Sequence, residues 1–404
     1  MSDVREIKKL SEVCDFQNGF AFKSNKFKSD GLPILRISNI QNNHISTKDL
    51  VFFDVNDYKE DFERYKVLKN DIIIAMSGGT TGKIGINQTD NIYYLNQRVG
   101  KFSPKKNLDR QYLFYFLHTK SEESLKIAGG AAQPNLSTEQ IKNFQIPVPS
   151  ITKQRTIVAK LDQAFAAINQ AKANIEKNIT NAKELFQSKL VDLFQNYDKT
   201  KFEVKTIKEI TSLLGDGLHG TPKYNDNGEY YFINGNNLMD EGIVIKPNTK
   251  RIDESQYLKY KKDLNENTVL VSINGTLGNV GFYNNEKVVL GKSACYFNLK
   301  KDYDKRYIMY QIKSPIFLRY AHKEATGATI KNVSLKSMRN FEVIIPKDQK
   351  IQNQIVVQLD QLQEQTNLLV TKYQQKLANL EELKKSILEK AFKGELSTAA
   401  IEKV

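Results

Sequence analysis

The chain has 404 residues, of which 40% are hydrophobic and 26% charged, enough for two or three globular domains with sizeable cores. The sequence contains no run of 18 apolar residues, so no membrane span is predicted. The charged start MSDVREIKKL does not resemble a signal peptide. The chain has two cysteines, Cys14 and Cys295, which argues against a disulfide framework. The formal net charge of +14 is shared by both halves and favours a polyanionic partner, usually nucleic acid. A basic cytoplasmic protein without such a partner is the alternative.

The first clear strand signal is DIIIAM, residues 71–76, which is followed by the glycine loop SGGTTGKIG, residues 77–85. This loop partly resembles a Walker-type phosphate loop, since Gly82 and Lys83 fit the pattern. The first glycine of that pattern and the hydroxyl that would bind Mg²⁺ are both missing. We therefore predict a structural turn here and no nucleotide site.

A long helix is predicted next, because residues 155–200 contain no Gly or Pro and their apolar side chains recur at spacings of 3 and 4. A second such helix is predicted near the C-terminus. The residues predicted to pair the two helices are Val158, Leu161, Phe165, Ile168, Ile175, Ile179, Ile355, Leu359, Leu362, Leu369, Leu380 and Ile387. An antiparallel pair would form a rod of roughly 60 Å, longer than one DNA turn of about 34–36 Å. The alternative is two ordinary amphipathic helices, each packed on its own domain.

The second half of the chain repeats the first at offsets of 196 to 198 residues. GGAAQPNLSTEQIKNFQIPVP (129–149) matches TGATIKNVSLKSMRNFEVIIP (326–346), and the LDQ of 161–163 returns at 359–361. The glycine loop returns as SINGTLGNVG, with asparagine in place of lysine. At an offset of 196, the paired glycines are Gly79 with Gly275, Gly82 with Gly278, and Gly85 with Gly281.

Motifs for catalysis are missing from both halves. GDGLHG (215–220) satisfies G-x-G-x-x-G, but Thr221 and Pro222 follow it in place of a dinucleotide-binding helix. The nearest approach to the tetrapeptide of amino-methyltransferases, SPIF (314–317), lacks the second proline. Four scattered histidines and two cysteines do not predict a metal site. We predict a protein that is not an enzyme.

Short polar motifs recur in the same order in both halves. In the first half they are NGFAFKS (18–24), LRISNI (35–40), SGGTTGKIG (77–85), LNQRV (95–99) and QPNLS (133–137). In the second half they are DGLHGTPKY (216–224), NGNNL (234–238), SINGTLGNVG (272–281) and IKNVS (330–334). Together with PVPS and IIPK before the helices and KGEL near the end, these motifs resemble those of specificity subunits of type I restriction-modification systems.

The resemblance covers essentially the whole chain and implies an α+β fold. Two α/β target-recognition domains would be separated by two long antiparallel coiled-coil helices, with an internal pseudo-twofold repeat. The implied domains are a first target-recognition domain at 1–149, a helical spacer at 150–198, a second target-recognition domain at 199–346 and a C-terminal helical spacer at 347–404.

The resemblance also implies a non-catalytic subunit that reads a bipartite target in double-stranded DNA and docks two methyltransferase subunits. Those subunits would methylate adenine with S-adenosylmethionine, and restriction (motor-nuclease) subunits would use ATP and Mg²⁺, so this chain would carry no cofactor. The expected location is the cytoplasm of a bacterium or archaeon, without a membrane partner. In the alignment of the two halves, GFAFKSNKF matches GLHGTPKY, and this difference predicts two different half-sites. Sequence drift without functional consequence is the alternative.

The residues predicted to contact DNA are polar side chains of these loops, where Asn and Gln suit adenine and Arg and Lys suit guanine. In the first domain they are Lys23, Ser24, Arg36, Asn39, Thr80, Thr81, Lys83, Gln97, Arg98, Gln133 and Asn135. In the second domain they are His219, Thr221, Lys223, Tyr224, Asn234, Asn237, Thr276, Asn279, Lys292, Ser293, Lys331 and Asn332. Asn39 and Asn237 recur at matching positions, so a structural role is the alternative for both.

Two other functions remain open from the sequence. A complete methyltransferase with its own recognition domain is disfavoured by the missing cofactor and catalytic motifs. A two-domain coiled-coil scaffold without DNA specificity suits the duplication and the helices equally well. The net positive charge and the polar glycine loops favour DNA, and a salt-dependent affinity for duplex DNA would separate these functions.

Overall fold

The part of each repeat that precedes its long helix lies in its own unit of the structure. The computed structural model describes residues 6–41, 43–129, 135–239, 241–327 and 330–395. Unit 1 comprises residues 1–175 with 375–404, and unit 2 comprises residues 176–374. Both boundaries fall inside long helices, so each unit contains a part of both helices.

The helices and strands of the two halves follow one another in the same order. Those of the first half are β1 (Glu6–Lys9), α1 (Leu10–Val13), β2 (Cys14–Asn18), β3 (Leu32–Leu35), β4 (Ile40–Gln41), β5 (His44–Ile45), β6 (Val51–Phe53), β7 (Lys66–Val67), β8 (Ile72–Ala75), β9 (Ile84–Ile86), β10 (Tyr93–Leu95), β11 (Val99–Pro104), α2 (Arg110–Thr119), α3 (Ser121–Ala128), α4 (Thr138–Lys142), β12 (Gln145–Val148) and α5 (Ile151–Gln195). Those of the second half are β13 (Phe202–Thr206), α6 (Ile207–Ile210), β14 (Thr211–Asp216), β15 (Tyr230–Ile233), β16 (Leu238–Met239), β17 (Gly242–Ile243), β18 (Arg251–Ile252), α7 (Glu254–Tyr260), β19 (Thr268–Ser272), β20 (Val280–Phe282), β21 (Val288–Leu290), β22 (Ala294–Leu299), α8 (Lys305–Ile312), α9 (Pro315–Glu324), α10 (Leu335–Asn340), β23 (Glu342–Pro346) and α11 (Gln349–Lys393). The two orders differ at one place, where α7 stands in the second half and β7 in the first.

Both halves build equivalent sheets from strands that are distant in sequence. In unit 1 the strand orders are β2-β11-β8-β9, all antiparallel, and β6-β3-β10-β7, in which β3 and β10 are parallel. In unit 2 they are β14-β22-β19-β20 and β18-β15-β21, in which β15 and β21 are parallel. The first and last strands of each half also pair, β1 with β12 and β13 with β23, so the segment before each long helix ends beside the strand with which it starts.

The apolar run predicted as a strand is β8, and both of its faces are buried. Ile72 and Ile74 lie in a hydrophobic cluster with α2 and the long helices, whereas Ile73 and Ala75 lie in a second cluster on the other face of the sheet. Strand β19 divides its side chains between two clusters in the same way. Burial on both faces explains why these segments lack the alternation of a half-exposed strand.

The two predicted long helices are confirmed as α5 and α11, each of 45 residues. Within unit 1 the two helices run antiparallel. Residues of α5 with higher residue numbers contact residues of α11 with lower ones. The ammonium of Lys384 lies 5.1 Å from the ring centre of Phe165, and Lys172 pairs with Glu381 further along.

The residues predicted to pair the helices are mostly buried, and the cores that bury them also contain side chains of the sheets and short helices. Buried are Leu161, Phe165, Ile168, Ile355, Leu359 and Ile387. Partly buried are Val158, Ile175, Ile179, Leu362 and Leu380. Leu369 is 41% exposed. In each unit the helices therefore pack on their own domain as well as on each other, so the two arrangements considered from the sequence occur together.

A buried glutamine anchors the first turn of each long helix. The side chain of Gln154 accepts a hydrogen bond from Asp109 N–H at 2.7 Å and donates to the carbonyl oxygens of Asn107 and Pro149, both at 2.9 Å. In the second half, Gln352 makes equivalent bonds to Asp304 N–H at 3.2 Å and Asp302 O at 3.3 Å. In the first half these bonds connect α5 to the segment directly before α2. In the second half they connect α11 to the segment directly before α8.

The repeated LDQ motif also has a structural explanation. Asp162 accepts a hydrogen bond from the hydroxyl of Tyr115 on α2, and Asp360 accepts one from Tyr310 on α8 at 2.5 Å. Burial, and then the bond to its aspartate, raises the pKa of each tyrosine above its ordinary value, which keeps the hydroxyl protonated as the donor. The recurring aspartates are therefore helix-to-domain anchors.

His118 on α2 makes the stability of unit 1 depend on pH. Its ring lies edge-on to Phe114 at 4.7 Å, and burial, with a smaller contribution from Lys384, lowers the pKa of His118 from 6.5 to about 4. Below pH 6.5 the unfolded chain binds a proton that the folded chain does not, so stability is lost as the pH falls from 6.5 towards 4.

We expect His118→Gln to reduce this loss, measured as the urea midpoint between pH 7 and 4.5. His322→Gln, which changes an exposed histidine of α9, is the control and should follow the unmodified chain. Equal pH dependence of the His118→Gln variant and the unmodified chain would show that His118 does not cause the effect.

Candidate nucleic-acid interface

The predicted polar motifs of the first half lie side by side, although up to about a hundred residues separate them in sequence. Phe20 N–H donates to Leu95 O at 2.9 Å, and Asn96 N–H donates to Leu35 O at 3.0 Å. These two bonds join the motifs NGFAFKS, LNQRV and LRISNI in a row.

The glycine loop and the last motif complete the row. Met76 N–H donates to Arg98 O at 2.9 Å, and Leu136 N–H donates to Met76 O at 2.7 Å. The hydroxyl of Thr80 donates to Ile37 O at 3.2 Å, which joins the glycine loop to LRISNI. The described residues of all five motifs therefore lie together and form one polar surface at the ends of the strands.

The same four backbone hydrogen bonds recur in the second half. They join Leu218 N–H to Leu290 O (2.7 Å), Gly291 N–H to Ile233 O (2.7 Å), Ile273 N–H to Ser293 O (3.0 Å) and Val333 N–H to Ile273 O (2.8 Å). The sequence therefore specifies the same framework twice, and the two frameworks can carry different side chains.

A close backbone approach requires glycine at one position of each framework. A Cβ atom on Gly19 would lie 2.0 Å from Asn96 O, and one on Gly217 would lie 2.1 Å from Leu290 O. Gly217 is the middle glycine of GDGLHG, so this contact between segments explains why that motif contains a glycine there.

The glycine loops turn through the left-handed backbone region. Gly78 and Gly82 have φ of +74° and +81°, and Gly275 and Gly278 have φ of +76° and +80°. Only glycine adopts such angles readily. The structural counterpart of Gly275 is thus Gly78 and not Gly79, which the constant offset of 196 had suggested, because the first loop contains one extra residue.

The predicted DNA-contacting residues differ in their exposure. Exposed side chains are Lys23, Ser24, Gln97, Arg98, Asn135, His219, Thr221, Lys223, Tyr224, Thr276, Lys292 and Lys331. Partly buried ones are Arg36, Thr80, Lys83, Asn234, Asn279, Ser293 and Asn332. Buried ones are Asn39, Thr81 and Asn237. Gln133 lies outside the described residues.

Asn39 and Asn237 hold the backbone of their loops. Asn39 accepts from Arg36 N–H at 3.0 Å and donates its amide to the carbonyl oxygens of Ser46 and Lys48. Asn237 accepts from Asn234 N–H at 3.0 Å and donates to Val244 O at 2.9 Å. With 1% and 5% exposure, these side chains take the structural role that their recurrence suggested.

One pair of matching positions was missed by the sequence reasoning. Ser77 accepts a hydrogen bond from the guanidinium of Arg98 at 3.3 Å, and its counterpart Asn274 donates its amide to Asn332 at 3.2 Å. Both residues orient a predicted contact residue. The signal for them was present, since both are polar and both directly precede the first glycine of their loop, at an offset of 197.

The described part of the chain contains no group of three or more His, Cys, Asp or Glu side chains placed to bind a metal ion. Within those same residues, no helix combines the length and the apolar character needed to cross a membrane. The chemistry that the two frameworks offer is hydrogen bonding and positive charge.

Comparison with known proteins gives a consistent result. Residues 2–181 and 199–379 each match the family described as the type I restriction modification DNA specificity domain. The chain is 27% identical to the specificity subunit of the type I restriction enzyme EcoKI from Escherichia coli K12, over 96% of this chain and 88% of that protein. It is 32% identical to the MjaVIII specificity subunit from Methanocaldococcus jannaschii, over 43% of each chain.

Solved structures share the fold. One chain, from work on complex assembly and conformational transition of the type I R-M system, matches with a TM-score of 0.71 at 19% identity, over 97% of this chain and 98% of that one. The HsdS subunit from Thermoanaerobacter tengcongensis matches with a TM-score of 0.54 at 18% identity, over 97% of both chains.

Proposed function

Because this chain belongs to the family of type I restriction-modification DNA specificity subunits, we propose that it reads a bipartite target, with one half-site bound by each unit. The side chains at the polar surfaces would supply the contacts to bases and phosphates. The chain would carry no catalytic residue and no cofactor, and S-adenosylmethionine, ATP and Mg²⁺ would be bound by partner subunits.

The observation that carries the proposal is one framework with two sets of side chains. At the position where the first framework presents the exposed Gln97 and Arg98, the second presents the exposed Lys292 and the partly buried Ser293. A Gln–Arg pair offers bidentate contacts to adenine and guanine, whereas a Lys–Ser pair offers different donors. The two half-sites would then differ, and the whole target would be asymmetric.

The long helices would serve as the spacer and as the docking site for two methyltransferase subunits. Each helix contributes residues to both units, so it links the two recognition surfaces covalently. The helices also expose apolar side chains, with Leu185 at 67% and Leu368 at 55% exposure. Exposed apolar side chains of this kind suit a protein partner. Restriction subunits would be further partners in the complex.

A selection from random duplex DNA tests the assignment of half-sites. The full chain should enrich one bipartite sequence. We expect Gln97→Ala with Arg98→Ala to remove base preference from one half only and to weaken binding, since each bidentate base contact is worth about 1–3 kcal/mol.

The control for this selection is Gln88→Ala with Lys106→Ala, which changes two exposed residues outside the motifs of the same domain. It should enrich the unmodified sequence. An unchanged motif with the Gln97/Arg98 variant, or changes in both halves, would contradict the assignment.

A further inference from the structure

Unit 2 carries a patch of exposed cations that lie over tyrosine rings, next to the motif of residues 216–224. The members of this tyrosine-cation patch are Tyr224, Tyr230, Tyr231, Tyr257 and Tyr260 with Lys250, Arg251, Lys259, Lys261 and Lys287. The distances from cation to ring centre are 5.8 Å for Lys250 over Tyr224, 5.1 Å for Arg251 over Tyr231, 5.1 Å for Lys259 over Tyr260, 6.0 Å for Lys261 over Tyr257 and 5.5 Å for Lys287 over Tyr230. All five cations are exposed.

The patch is built around α7 and is attached to the predicted recognition motif. The backbone N–H of Lys223 donates to the side chain of Gln256 on α7 at 3.1 Å. Tyr224 forms an antiparallel bridge with Ile252 of β18, directly before α7. The motif and the patch are therefore parts of one continuous surface.

The cations of the patch are largely free of carboxylate partners. Among the described residues, the ion pair in the patch is that of Lys287 with Glu229, at 3.8 Å. The carboxylates of Asp253 and Glu254 lie at the N-terminal end of α7, whereas Lys259 and Lys261 lie at its other end. Positive charge is thus available to a ligand at the C-terminal end of the helix.

Unit 1 differs at the corresponding place, between β6 and β8. Two cations lie over tyrosine rings there as well, Lys26 over Tyr58 and Arg64 over Tyr65, both at 4.7 Å. Lys26 is partly buried and its ammonium donates to Asp57 O, and Arg64 pairs with Glu60 at 3.2 Å. Lys28 pairs with Asp54 and Asp57 at 3.4 and 3.2 Å. The phenylalanine rings there point inward: Phe22, Phe53 and Phe62 form a buried cluster. The two units therefore differ in how free these cations are. Those over tyrosine rings in unit 1 have a carbonyl or carboxylate partner, whereas among the described residues four of the five in unit 2 have no carboxylate partner.

We propose that the tyrosine-cation patch binds phosphates of duplex DNA beside the half-site read by unit 2, with more unpaired cations than unit 1 offers at the corresponding place. This inference rests on the proposed function. Lysine and arginine neutralise phosphates and release counterions, and tyrosine hydroxyls donate to phosphate oxygens. The rings hold the cations at the surface through cation–π contacts. Unit 2 would then contribute more of the sequence-independent, salt-sensitive affinity than unit 1.

Salt titration of DNA binding tests the patch. The probe is a fluorescent 50-base-pair duplex of random sequence, and binding to the full chain is measured between 50 and 300 mM KCl. For Lys259→Ala with Lys261→Ala we expect the slope of log affinity against log salt to become less steep by about 2, about one for each lost phosphate contact. Lys250→Ala with Lys287→Ala, at the other side of the patch, should also reduce the slope.

The matched control is Lys177→Ala with Lys372→Ala, which removes the same charge from exposed positions of α5 and α11 in unit 2. Its slope should equal that of the unmodified chain. If both pairs of patch substitutions leave the slope unchanged, or if the control reduces it equally, the patch does not bind phosphates and the proposed function is unaffected. If the unmodified chain does not bind the duplex, the proposed function itself fails.

Discussion

Gly217→Ala is expected to destabilise unit 2 by about 3 kcal/mol or more, because the added methyl group would lie 2.1 Å from the carbonyl oxygen of Leu290. Both atoms belong to the framework that joins the recognition motifs, so neither can move without separating the motif of residues 216–224 from its neighbour. Urea unfolding measures the loss of stability. Binding of duplex DNA measures the accompanying change at the interface.

Gly220→Ala provides a control within the same GDGLHG segment, since a Cβ atom there would meet nothing within 4 Å. It should leave stability unchanged. Gly19→Ala should reproduce the loss in unit 1, where the contact is 2.0 Å from Asn96 O. If the Gly217→Ala and Gly220→Ala variants are equally stable, the backbone at Gly217 does not approach Leu290 as closely as described.

Gln154→Leu is expected to cost about 3 kcal/mol in the stability of unit 1, since it would remove all three hydrogen bonds of a buried amide. The backbone groups of Asp109, Asn107 and Pro149 would each lose a partner, and a buried polar group without a partner costs about 1–3 kcal/mol. The measurement is the free energy of unfolding in urea.

Lys153→Leu changes the exposed neighbouring residue to the same side chain and should have little effect. Gln352→Leu should cost less than Gln154→Leu, because its hydrogen bonds of 3.2 and 3.3 Å are longer. A Gln154→Leu variant as stable as Lys153→Leu would show that the long helix is not anchored through this amide.

The elements with a continuous local signal could be predicted from the sequence. The long helices show an apolar period over many turns without Gly or Pro, and the buried strands β8 and β19 appear as short apolar runs. The order of strands in the sheets could not be predicted, because β2 pairs with β11 across more than 80 residues. Such pairing depends on the packing of the whole domain, which no local pattern contains.

The candidate site was partly predictable for a related reason. Repetition identified the motifs, and the structure brings them together, but repetition alone does not separate a structural residue from a contact residue. Asn39 and Asn237 recur because they hold loops, whereas Gln97 and Arg98 differ from their counterparts and are exposed. The counterpart of α7 in the first half is a single 3-10 turn, Val55–Asp57, so comparison of the two halves could not predict a longer helix in the second.

The most direct test of the central claim is a map of methylated adenines in the genome of the host, with this gene present and with it deleted, while the genes for the methyltransferase partner are expressed in both strains. Deletion should remove methylation from one asymmetric motif made of two specified halves and an unspecified gap. Unchanged methylation, or the loss of a motif without a gap, would contradict the claim.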